Sequence, residues 1–336
     1  MQKPEVISLF SGCGGLDLGF HLSGFKIVYA NDIAKAVQKT YEYNLGQIEI
    51  CDIKYVKKEA LPNCDIVLAG IPCQPFSNAG KRESTSGKHG NLFQEVIQTV
   101  EIKQPKILLL ENVRGFLSAR DENKLLMPLR MKLELKKIGY KFFYKLLNSS
   151  DYNVPQNRYR VFIIGIRNDI HKDFTFPYPN PNKLKLTIDH ILSMPKPQDE
   201  EDEVWQLPPQ SANLIKHIPE GGSWRDVSYE LLPARMQKIR DDPKNKNNSS
   251  AFYRRFARKE IMGTITSRAT PERSGITHST LHRRYSVREI ARFQSFPDSF
   301  KFIGTSVVQK YKMIGNAVPV KLAECIAKKI MVDFFS

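Results

Sequence analysis

Four short apolar runs recur in the first half of the chain and predict the strands of a parallel sheet: Val6–Phe10, Ile27–Ala30, Asp65–Ala69 and Ile107–Leu110. Three segments between these runs have the apolar spacing of amphipathic helices: Leu16–Gly24, Ala34–Asn44 and Leu92–Lys103. Strands that alternate with helices are typical of a doubly wound sheet with helices on both faces. The pattern therefore predicts a Rossmann-like α/β domain.

Two further strand-like segments, Tyr140–Leu147 and Val161–Ile166, predict an antiparallel pair at the edge of this sheet. After residue 167 proline clusters and an acidic run interrupt any regular period. Amphipathic helices return at Val287–Gln294 and Val320–Phe334, and we expect both to pack on the first domain. The chain is thus divided into a first domain (1–167), an inserted, irregular module (168–282) and a returning segment (283–336).

The charge of the chain favours a polyanionic partner. Lys and Arg total 51 against 35 Asp and Glu, which gives a formal net charge of +16. Residues 235–285 hold 13 basic and 4 acidic side chains with interleaved aromatic residues, a composition suited to phosphate groups. A solvated basic face is the alternative. No long apolar run or signal-peptide pattern is present, so we expect a cytoplasmic protein without a membrane partner.

One of the five cysteines is a candidate nucleophile. The set has neither CxxC nor Cys/His metal spacing, so no metal site is predicted. Cys73 follows the Asp65–Ala69 run directly and stands between Pro72 and Pro75, which restrict the backbone around the thiol. A thiol held at the end of a strand suits nucleophilic catalysis, whereas an inert buried cysteine is the alternative.

The first predicted strand leads into a glycine-rich turn, Phe10–Gly15, that opens a helix. Glycines allow the backbone to approach a nucleotide-like ligand, although the spacing is not GxGxxG. Asp32 ends the second strand and could hold ribose hydroxyls, while Asp52 ends another short apolar run. Together these residues outline an adenosine pocket; for each aspartate alone, a cap or turn role is the alternative.

Three more charged residues stand next to predicted strands. Glu111 follows Ile107–Leu110, so its carboxylate should emerge at the same sheet edge as Cys73. A protonated glutamate there can donate to a ring nitrogen. Arg158 and Arg160 are spaced to share one face of an extended segment, where two guanidinium groups could bind a phosphate and a base carbonyl.

Five motifs occur in the order seen in DNA cytosine-5 methyltransferases: Phe-x-Gly-x-Gly, Pro-Cys-Gln, Glu-Asn-Val, Gln-x-Arg-x-Arg and Gly-Asn-Ala-Val-Pro. The chain resembles this family, and its bacterial type II restriction-modification members in particular, over nearly its whole length. About residues 169–263 lack the motifs. The resemblance implies a catalytic and cofactor-binding domain at 1–167, a target-recognition domain at 168–282 and a C-terminal segment at 283–336 that returns to the catalytic domain.

The resemblance also implies the catalytic residues. Cys73 would attack C6 of cytosine and thereby turn C5 into a nucleophile. Glu111 would contact N3 and the exocyclic amine, Arg160 the base carbonyl, and Arg158 would help to hold the catalytic loop and the adduct. A stacked cytosine must first be flipped out of the duplex, and the polar segment Asn78–Asn91 is expected to close over the DNA.

The implied cofactor is S-adenosylmethionine. Where the family often has glutamate and an aromatic residue, this chain has Asp32 and Ile33, a departure that bears on cofactor affinity. The expected cofactor residues are Phe10, Gly12, Gly14, Gly15, Asp32, Ile33, Asp52, Ile53, Pro72, Leu92, Asn316 and Val318. The expected DNA contacts are Ser77, Lys81, Arg82, Gln156, Thr264, Ile265, Arg268 and Arg273, while Arg283, Arg284 and Arg288 are expected to serve as scaffold or phosphate contacts.

Other functions remain open at this point. An RNA cytosine-5 methyltransferase acting on tRNA would share the scaffold, but an irregular module of about 100 residues favours duplex DNA. A non-catalytic nucleic-acid-binding protein explains the charge and leaves Cys73 with Glu111 unexplained. A nicotinamide-dependent dehydrogenase would use a similar first turn but lacks its motif here. We expect a monomer, and the resemblance leaves open a genetically linked restriction endonuclease.

Overall fold

The computed structural model describes residues 2–72, 90–179, 185–197, 203–242, 244, 252–268 and 276–336. The strands are β1 (Glu5–Leu9), β2 (Lys26–Asp32), β3 (Glu49–Ile50), β4 (Ile66–Gly70), β5 (Ile107–Val113), β6 (Tyr140–Asn148) and β7 (Tyr159–Arg167). The helices are α1 (Gly15–Leu22), α2 (Gln38–Leu45), α3 (Gly90–Lys103), α4 (Met127–Lys137), α5 (Ile188–Leu192), α6 (Pro209–Ile215), α7 (Ala234–Asp241), α8 (Val287–Phe293), α9 (Val307–Asn316) and α10 (Val320–Phe334).

All seven strands form one sheet in the order β3-β2-β1-β4-β5-β7-β6. The first five strands in this order are parallel to one another, and β7 is antiparallel to both β5 and β6. The predicted parallel sheet and antiparallel edge pair are confirmed. The chain runs outward from β1 to β2 and then returns to β4 on the other side of β1. This reversal makes the carboxyl ends of β1 and β4 the position where α/β sheets bind ligands.

The chain forms two compact units. The first comprises residues 1–152, 159–181 and 318–336 and holds the sheet, α1 to α4 and α10. One core cluster in this unit joins apolar residues of β1, β4 and β5 to those of α3 and α4. Strands β4 and β5 read as continuous apolar runs because both of their faces are buried.

The second unit comprises residues 153–158 and 182–317 and holds α5 to α9. Its small core surrounds the fully buried Trp224. The buried guanidinium of Arg255 donates to the carbonyl oxygens of Ile215, Ile218, His278 and Leu281, and so ties irregular chain segments together. Side-chain hydrogen bonds of this kind hold segments together where the proline-rich, aperiodic sequence does not form regular elements.

The two C-terminal amphipathic helices have different positions. Helix α10 has the bounds predicted from its periodicity and belongs to the first unit. Helix α8 belongs to the second unit, although we expected it to pack on the first domain. It is held there because Arg292 donates to the carbonyls of Met194 and Pro195, and Gln294 donates to that of Ile314. No helix in the described part of the chain combines the length and apolar character needed to cross a membrane.

Helix α8 begins with a capping box that also carries an ion pair. Ser286 and Glu289 satisfy each other's backbone N–H groups. Arg283 binds both carboxylate oxygens of Glu289, at 2.7 and 2.9 Å. Despite the opposing effect of burial, hydrogen bonds from Arg283 and His278 lower the pKa of Glu289 from 4.5 to about 2. The folded second unit therefore contains Glu289 in its ionised form at neutral pH.

We expect the close packing of α1 against α10 to leave no room for a side chain at position 19. A Cβ atom on Gly19 would lie 2.5 Å from the Cβ of Ala323 and 2.7 Å from the amide nitrogen of Glu324. Gly19→Val should lower the free energy of unfolding by about 1–3 kcal/mol because the helices must separate. Urea titration followed by circular dichroism measures the change. His21→Ala, at an exposed position of the same helix, is the control, and an unchanged Gly19→Val midpoint would contradict the packing.

The low pKa of Glu289 gives a signed pH dependence. Its stabilisation is fully present above the unfolded pKa of 4.5 and is lost as pH falls from 4.5 towards about 2. Glu289→Gln should cost about 2 kcal/mol at pH 7 and progressively less in acid. Both tryptophans, Trp205 and Trp224, lie in the second unit, so their fluorescence during urea unfolding reports this effect. Glu230→Gln, at an exposed position, should behave like the wild type at every pH.

Candidate active site

The glycine-rich turn after β1 has a left-handed backbone conformation at three of its residues. Phe10, Gly12 and Gly14 have positive φ angles of 57°, 57° and 89°. A Cβ atom on Gly14 would collide with Leu45 and lie 3.1 Å from the ring of Tyr41. By contrast, a Cβ on Gly12 would meet no atom of the described chain within 4 Å. The turn is thus closely packed at Gly14 and open at Gly12, as a surface that cradles a ligand requires.

Asp32 joins this turn to the end of β2. Its Oδ2 accepts a hydrogen bond from the Gly12 amide at 2.9 Å, and its Oδ1 accepts one from the Ala34 amide at 2.7 Å. Burial raises the pKa of Asp32, although these backbone amides act in the opposite direction. Each oxygen still has lone pairs for ligand hydroxyls. Beside it, Ile33 is 68% exposed and offers an apolar surface.

The remaining cofactor candidates differ in accessibility. Asp52 accepts from the amide of Lys54 at 3.1 Å and caps a short 3-10 turn. Ile53 is only 2% exposed and belongs to the core, so its side chain offers almost no surface to a ligand. Leu92 packs partly against the same core, and Pro72 is exposed. Val318 is buried in the first unit, whereas Asn316 is exposed at the end of α9 in the second.

Glu111 and Arg160 form an ion pair at the carboxyl edge of the sheet. The Nε atom of Arg160 lies 2.7 Å from Oε1 of Glu111, and both side chains are largely buried. Oε1 nevertheless accepts no well-aligned hydrogen bond from the described residues. Gly70 is paired with Glu111 across β4 and β5, and a Cβ added there would lie 4.0 Å from Oε2. The carboxylate therefore stands beside the point where the chain leaves β4.

The antiparallel direction of β7 explains how Arg160 reaches this edge. Val113 at the end of β5 is paired with Arg160 near the start of β7, and Glu111 is paired with Phe162. Glu111 and Arg160 are therefore diagonal neighbours on one face, within reach of a long side chain. A parallel strand would have placed its start at the opposite edge.

Cys73 lies outside the described residues, as do the predicted DNA contacts Ser77, Lys81, Arg82 and Arg273 and the expected closing segment up to residue 89. Among the described thiols, burial raises the pKa of Cys13 and Cys64 to about 12 and that of Cys51 to about 11. These three thiols stay protonated near neutral pH and are unsuited to act as nucleophiles.

The Gln156 and Arg158 side chains are buried in the second unit. Arg158 donates to the carbonyl oxygens of Ile265 at 2.6 Å and Gly315 at 2.9 Å. Gln156 accepts from the Ile265 amide at 3.0 Å and donates to the side chain of Gln294. Both side chains therefore join segments that are far apart in the sequence.

The Thr264–Arg268 segment is held by these contacts. Thr264 donates to the Asn157 carbonyl at 2.7 Å, and the side chain of Ile265 is fully buried. Neither Gln156 nor Ile265 exposes side-chain surface for a DNA contact, whereas Arg268 is exposed. A Cβ on Gly315 would lie 2.5 Å from the carbonyl carbon of Thr266, so this glycine allows the two backbones to meet.

Part of the basic stretch 235–285 has structural roles. Arg255 is buried, and Arg254 and Arg258 form ion pairs with Glu260 and Glu220. The interleaved Tyr253 and Tyr285 are buried rather than exposed. The basic residues exposed among those described are Arg235, Lys238, Arg240, Lys244, Arg258, Lys259 and Arg268. Of these, Arg258 pairs with Glu220 and Arg240 donates to the Val227 carbonyl, whereas the exposed positions of the others suit contacts with phosphates.

The three arginines expected to serve as scaffold or phosphate contacts all make internal contacts. Arg283 pairs with Glu289, as described above. Arg284 is buried, stacks on Trp205 at 4.1 Å from the ring centre and donates to backbone carbonyls. Arg288 donates to the carbonyl of Phe300 at 2.9 Å. These contacts support the scaffold interpretation.

Sequence reasoning missed Asp17, a fully buried carboxylate on α1 beneath the glycine-rich turn. It accepts hydrogen bonds from Ser8 and Tyr41. The available signal was an acidic residue between Leu16 and Leu18 on a helix with an apolar face. No group of three or more metal-ligating side chains is found within the described ranges.

Comparisons with known proteins agree with this architecture. The model of the C-5 cytosine-specific DNA methylase family matches residues 5–332. The chain is 36% identical to the type II methyltransferase M.FnuDI of Fusobacterium nucleatum, covering 97% of this chain and 94% of the relative. It is 33% identical to M.MthTI of Methanothermobacter thermautotrophicus, covering 99% and 98%.

Solved structures share the fold at low sequence identity. Spodoptera frugiperda DNMT2 aligns with a TM-score of 0.68 at 19% identity, over 98% of this chain and 100% of the other. S. pombe Dnmt2 aligns with a TM-score of 0.67 at 17% identity, over 98% and 99%. The family match and the curated relatives span nearly the whole chain, and its sheet carries the family's Glu-Asn-Val glutamate beside the strand that leads to Pro-Cys-Gln. The chain therefore belongs to the C-5 cytosine-specific DNA methylases and is a DNA cytosine-5 methyltransferase.

Proposed function

We propose that this protein methylates C5 of a cytosine within a short, specific sequence of duplex DNA, with S-adenosylmethionine as methyl donor. The observation that carries the proposal is the buried Glu111 carboxylate, whose Oε1 lies against Arg160 without a well-aligned hydrogen bond from the described residues. A buried polar atom of this kind calls for a partner. The exocyclic amine of a flipped cytosine supplies the missing donor.

The turn and its surroundings fit the proposed cofactor. Gly12 leaves room for a ligand, Asp32 retains acceptor capacity for ribose hydroxyls, and the exposed Ile33 can cover one face of an adenine. Asp52 stands close in sequence to the end of β3 and can address the adenine edge, with Ile53 contributing through its backbone. When bound, S-adenosylmethionine supplies an electrophilic methyl group.

The proposed chemistry depends on Cys73 and Glu111. The Cys73 thiolate forms a bond to C6 of cytosine, and the electrons of the C5–C6 double bond become available at C5. Glu111, in its protonated form, donates to N3 and so stabilises the adduct. Arg160 holds the carboxylate and is placed to address the base carbonyl. C5 would then take the methyl group as the bond between the methyl carbon and the sulfonium sulfur breaks, which leaves a neutral thioether. Loss of the C5 proton to a base would expel the thiolate and restore the double bond.

Arg158 acts differently in this proposal. Its guanidinium is buried and donates to the backbone carbonyls of Ile265 and Gly315, so we assign it a supporting role within the second unit rather than a contact with the base. The second unit, with the segment Thr264–Arg268 and the exposed basic side chains, would contact the DNA. The roles proposed for residues 1–167, 168–282 and 283–336 remain those stated from the sequence.

The curated relatives carry the type II methyltransferase name, which supports a place for this chain in a restriction-modification system. In that role, a monomer would act in the cytoplasm and protect the sites of a genetically linked endonuclease. A duplex substrate also requires the cytosine to leave the base stack, at a cost of a few kcal/mol that DNA contacts must offset.

Transfer of labelled methyl groups tests the nucleophile and the substrate together. We expect wild-type protein to transfer labelled methyl groups to unmethylated duplex DNA. Cys73→Ala should transfer them at least about a thousandfold more slowly, because it lacks the thiol that forms the covalent bond to cytosine. Bisulfite sequencing of the product should show 5-methylcytosine in one short context. Cys325→Ala is the matched control. Label on tRNA alone would replace DNA by RNA as the substrate, and label on neither would contradict an active methyltransferase.

The role of Glu111 can be separated from DNA binding. Glu111→Gln should lower kcat by about 10²- to 10⁴-fold because an amide cannot supply the proton to N3. Affinity for the duplex should change by less than about threefold, since phosphate contacts dominate it. Single-turnover kinetics and fluorescence anisotropy measure the two quantities. Glu101→Gln, at an exposed position of α3, controls for loss of charge, and a fully active Glu111→Gln variant would refute the assignment.

A further inference from the structure

A buried polar cluster lies beneath the glycine-rich turn of the first unit. Asp17 has no exposed surface, and its two carboxylate oxygens accept hydrogen bonds of 2.6 Å from the hydroxyls of Ser8 and Tyr41. Within the described ranges its partners are hydroxyl groups rather than a Lys or Arg side chain. Burial of a carboxylate is costly unless hydrogen bonds compensate it, so the cluster needs a reason to persist in the core.

The cluster contacts the turn at two points. At the start of the turn, the Ser11 hydroxyl donates to the hydroxyl of Ser8 at 2.9 Å, and the Gly14 amide donates to the Ser11 carbonyl at 2.9 Å. Near the end of the turn, the ring of Tyr41 lies 3.1 Å from the position that a Cβ of Gly14 would occupy. Asp17 therefore orients Ser8, which contacts the beginning of the turn, and Tyr41, which packs against its end.

The charge of Asp17 gives these hydrogen bonds their strength. Hydrogen bonds to an ionised carboxylate are shorter and stronger than those between neutral groups. Burial raises the pKa of Asp17 to about 6, and the hydroxyls of Ser8 and Tyr41 oppose that rise. At neutral pH the carboxylate is thus largely ionised and accepts from both hydroxyls.

We propose that Asp17 is a positioning residue of the cofactor site: through Ser8 and Tyr41, its carboxylate holds the turn Phe10–Gly15 in the conformation that receives S-adenosylmethionine. This inference rests on the proposed function, in which that turn binds the methyl donor. Asp17 does not touch the cofactor and takes no part in the chemistry at cytosine. Its loss should therefore weaken cofactor binding and leave turnover at saturating cofactor unchanged.

Two variants test this assignment. Asp17→Asn keeps the shape of the side chain and removes its charge, while Tyr41→Phe keeps the ring against Gly14 and removes one hydrogen bond. We expect the Kd for S-adenosylmethionine to rise about tenfold or more in the first and about three- to tenfold in the second, as the loss of a charged hydrogen bond predicts. The KM for the cofactor should rise in parallel, with kcat and DNA affinity within about twofold of wild type.

Tyr43→Phe is the matched control because Tyr43 lies on the same helix with an exposed ring, and it should bind like the wild type. Calorimetry with S-adenosylmethionine and anisotropy with duplex DNA give the required measurements. If Asp17→Asn does not fold, Tyr41→Phe decides the question.

The possible failures are distinguishable. Wild-type protein that does not bind S-adenosylmethionine would overturn the proposed function and the inference with it. Wild-type binding together with unchanged cofactor affinity in folded variants would overturn the inference alone. An equal loss of cofactor affinity, DNA affinity and kcat would also overturn it, because that result indicates a general effect on the fold.

Discussion

The burial of a carboxylate at the end of β5 is the constraint on which the candidate site depends. Glu111 can remain in the core edge because Arg160 supplies a cation at 2.7 Å. That cation is available only because β7 runs antiparallel to β5 and starts where β5 ends. Gly70 on β4 is paired with Glu111, and a Cβ added there would lie 4.0 Å from Oε2 of the carboxylate. The sheet thus sets both the charged partner of Glu111 and the position of its carboxylate beside the end of β4.

The glycine-rich turn at the ends of β1 and β2 also depends on carboxylates, whose partners here are backbone amides and hydroxyl groups rather than a guanidinium. Asp32 uses both carboxylate oxygens to bind backbone amides, so one side chain joins the ends of β1 and β2. Asp17 supports the same turn from beneath. Acidic groups hold a glycine-rich backbone that could otherwise adopt many conformations, and their oxygens do so without filling the space above Gly12.

Much of the first unit could be predicted because its sequence obeys local rules. The apolar runs of β1, β4 and β5 and the period of α10 are visible within ten to fifteen residues, and the motifs place Glu111 and the glycine-rich turn at strand ends. The positions of Gln156 and Arg158 were harder to predict from the sequence, because their burial depends on Ile265 and Gly315, which are more than 100 residues away along the chain. Ile53 was assigned to the pocket from the family pattern, whereas its side chain completes the core. A basic stretch likewise cannot reveal which of its arginines, such as Arg255, will be buried.

The diagonal placement of Glu111 and Arg160 also restricts how the length of this chain can vary. Side chains alternate between the faces of a sheet, so one extra residue within β5 or β7 would turn Glu111 or Arg160 to the opposite face and separate the pair. Insertions and deletions compatible with the site must fall outside Ile107–Val113 and Tyr159–Arg167, in turns or in the irregular second unit. A scaffold of this kind can change the size of its irregular second unit while the sheet edge that carries Glu111 and Arg160 keeps its dimensions.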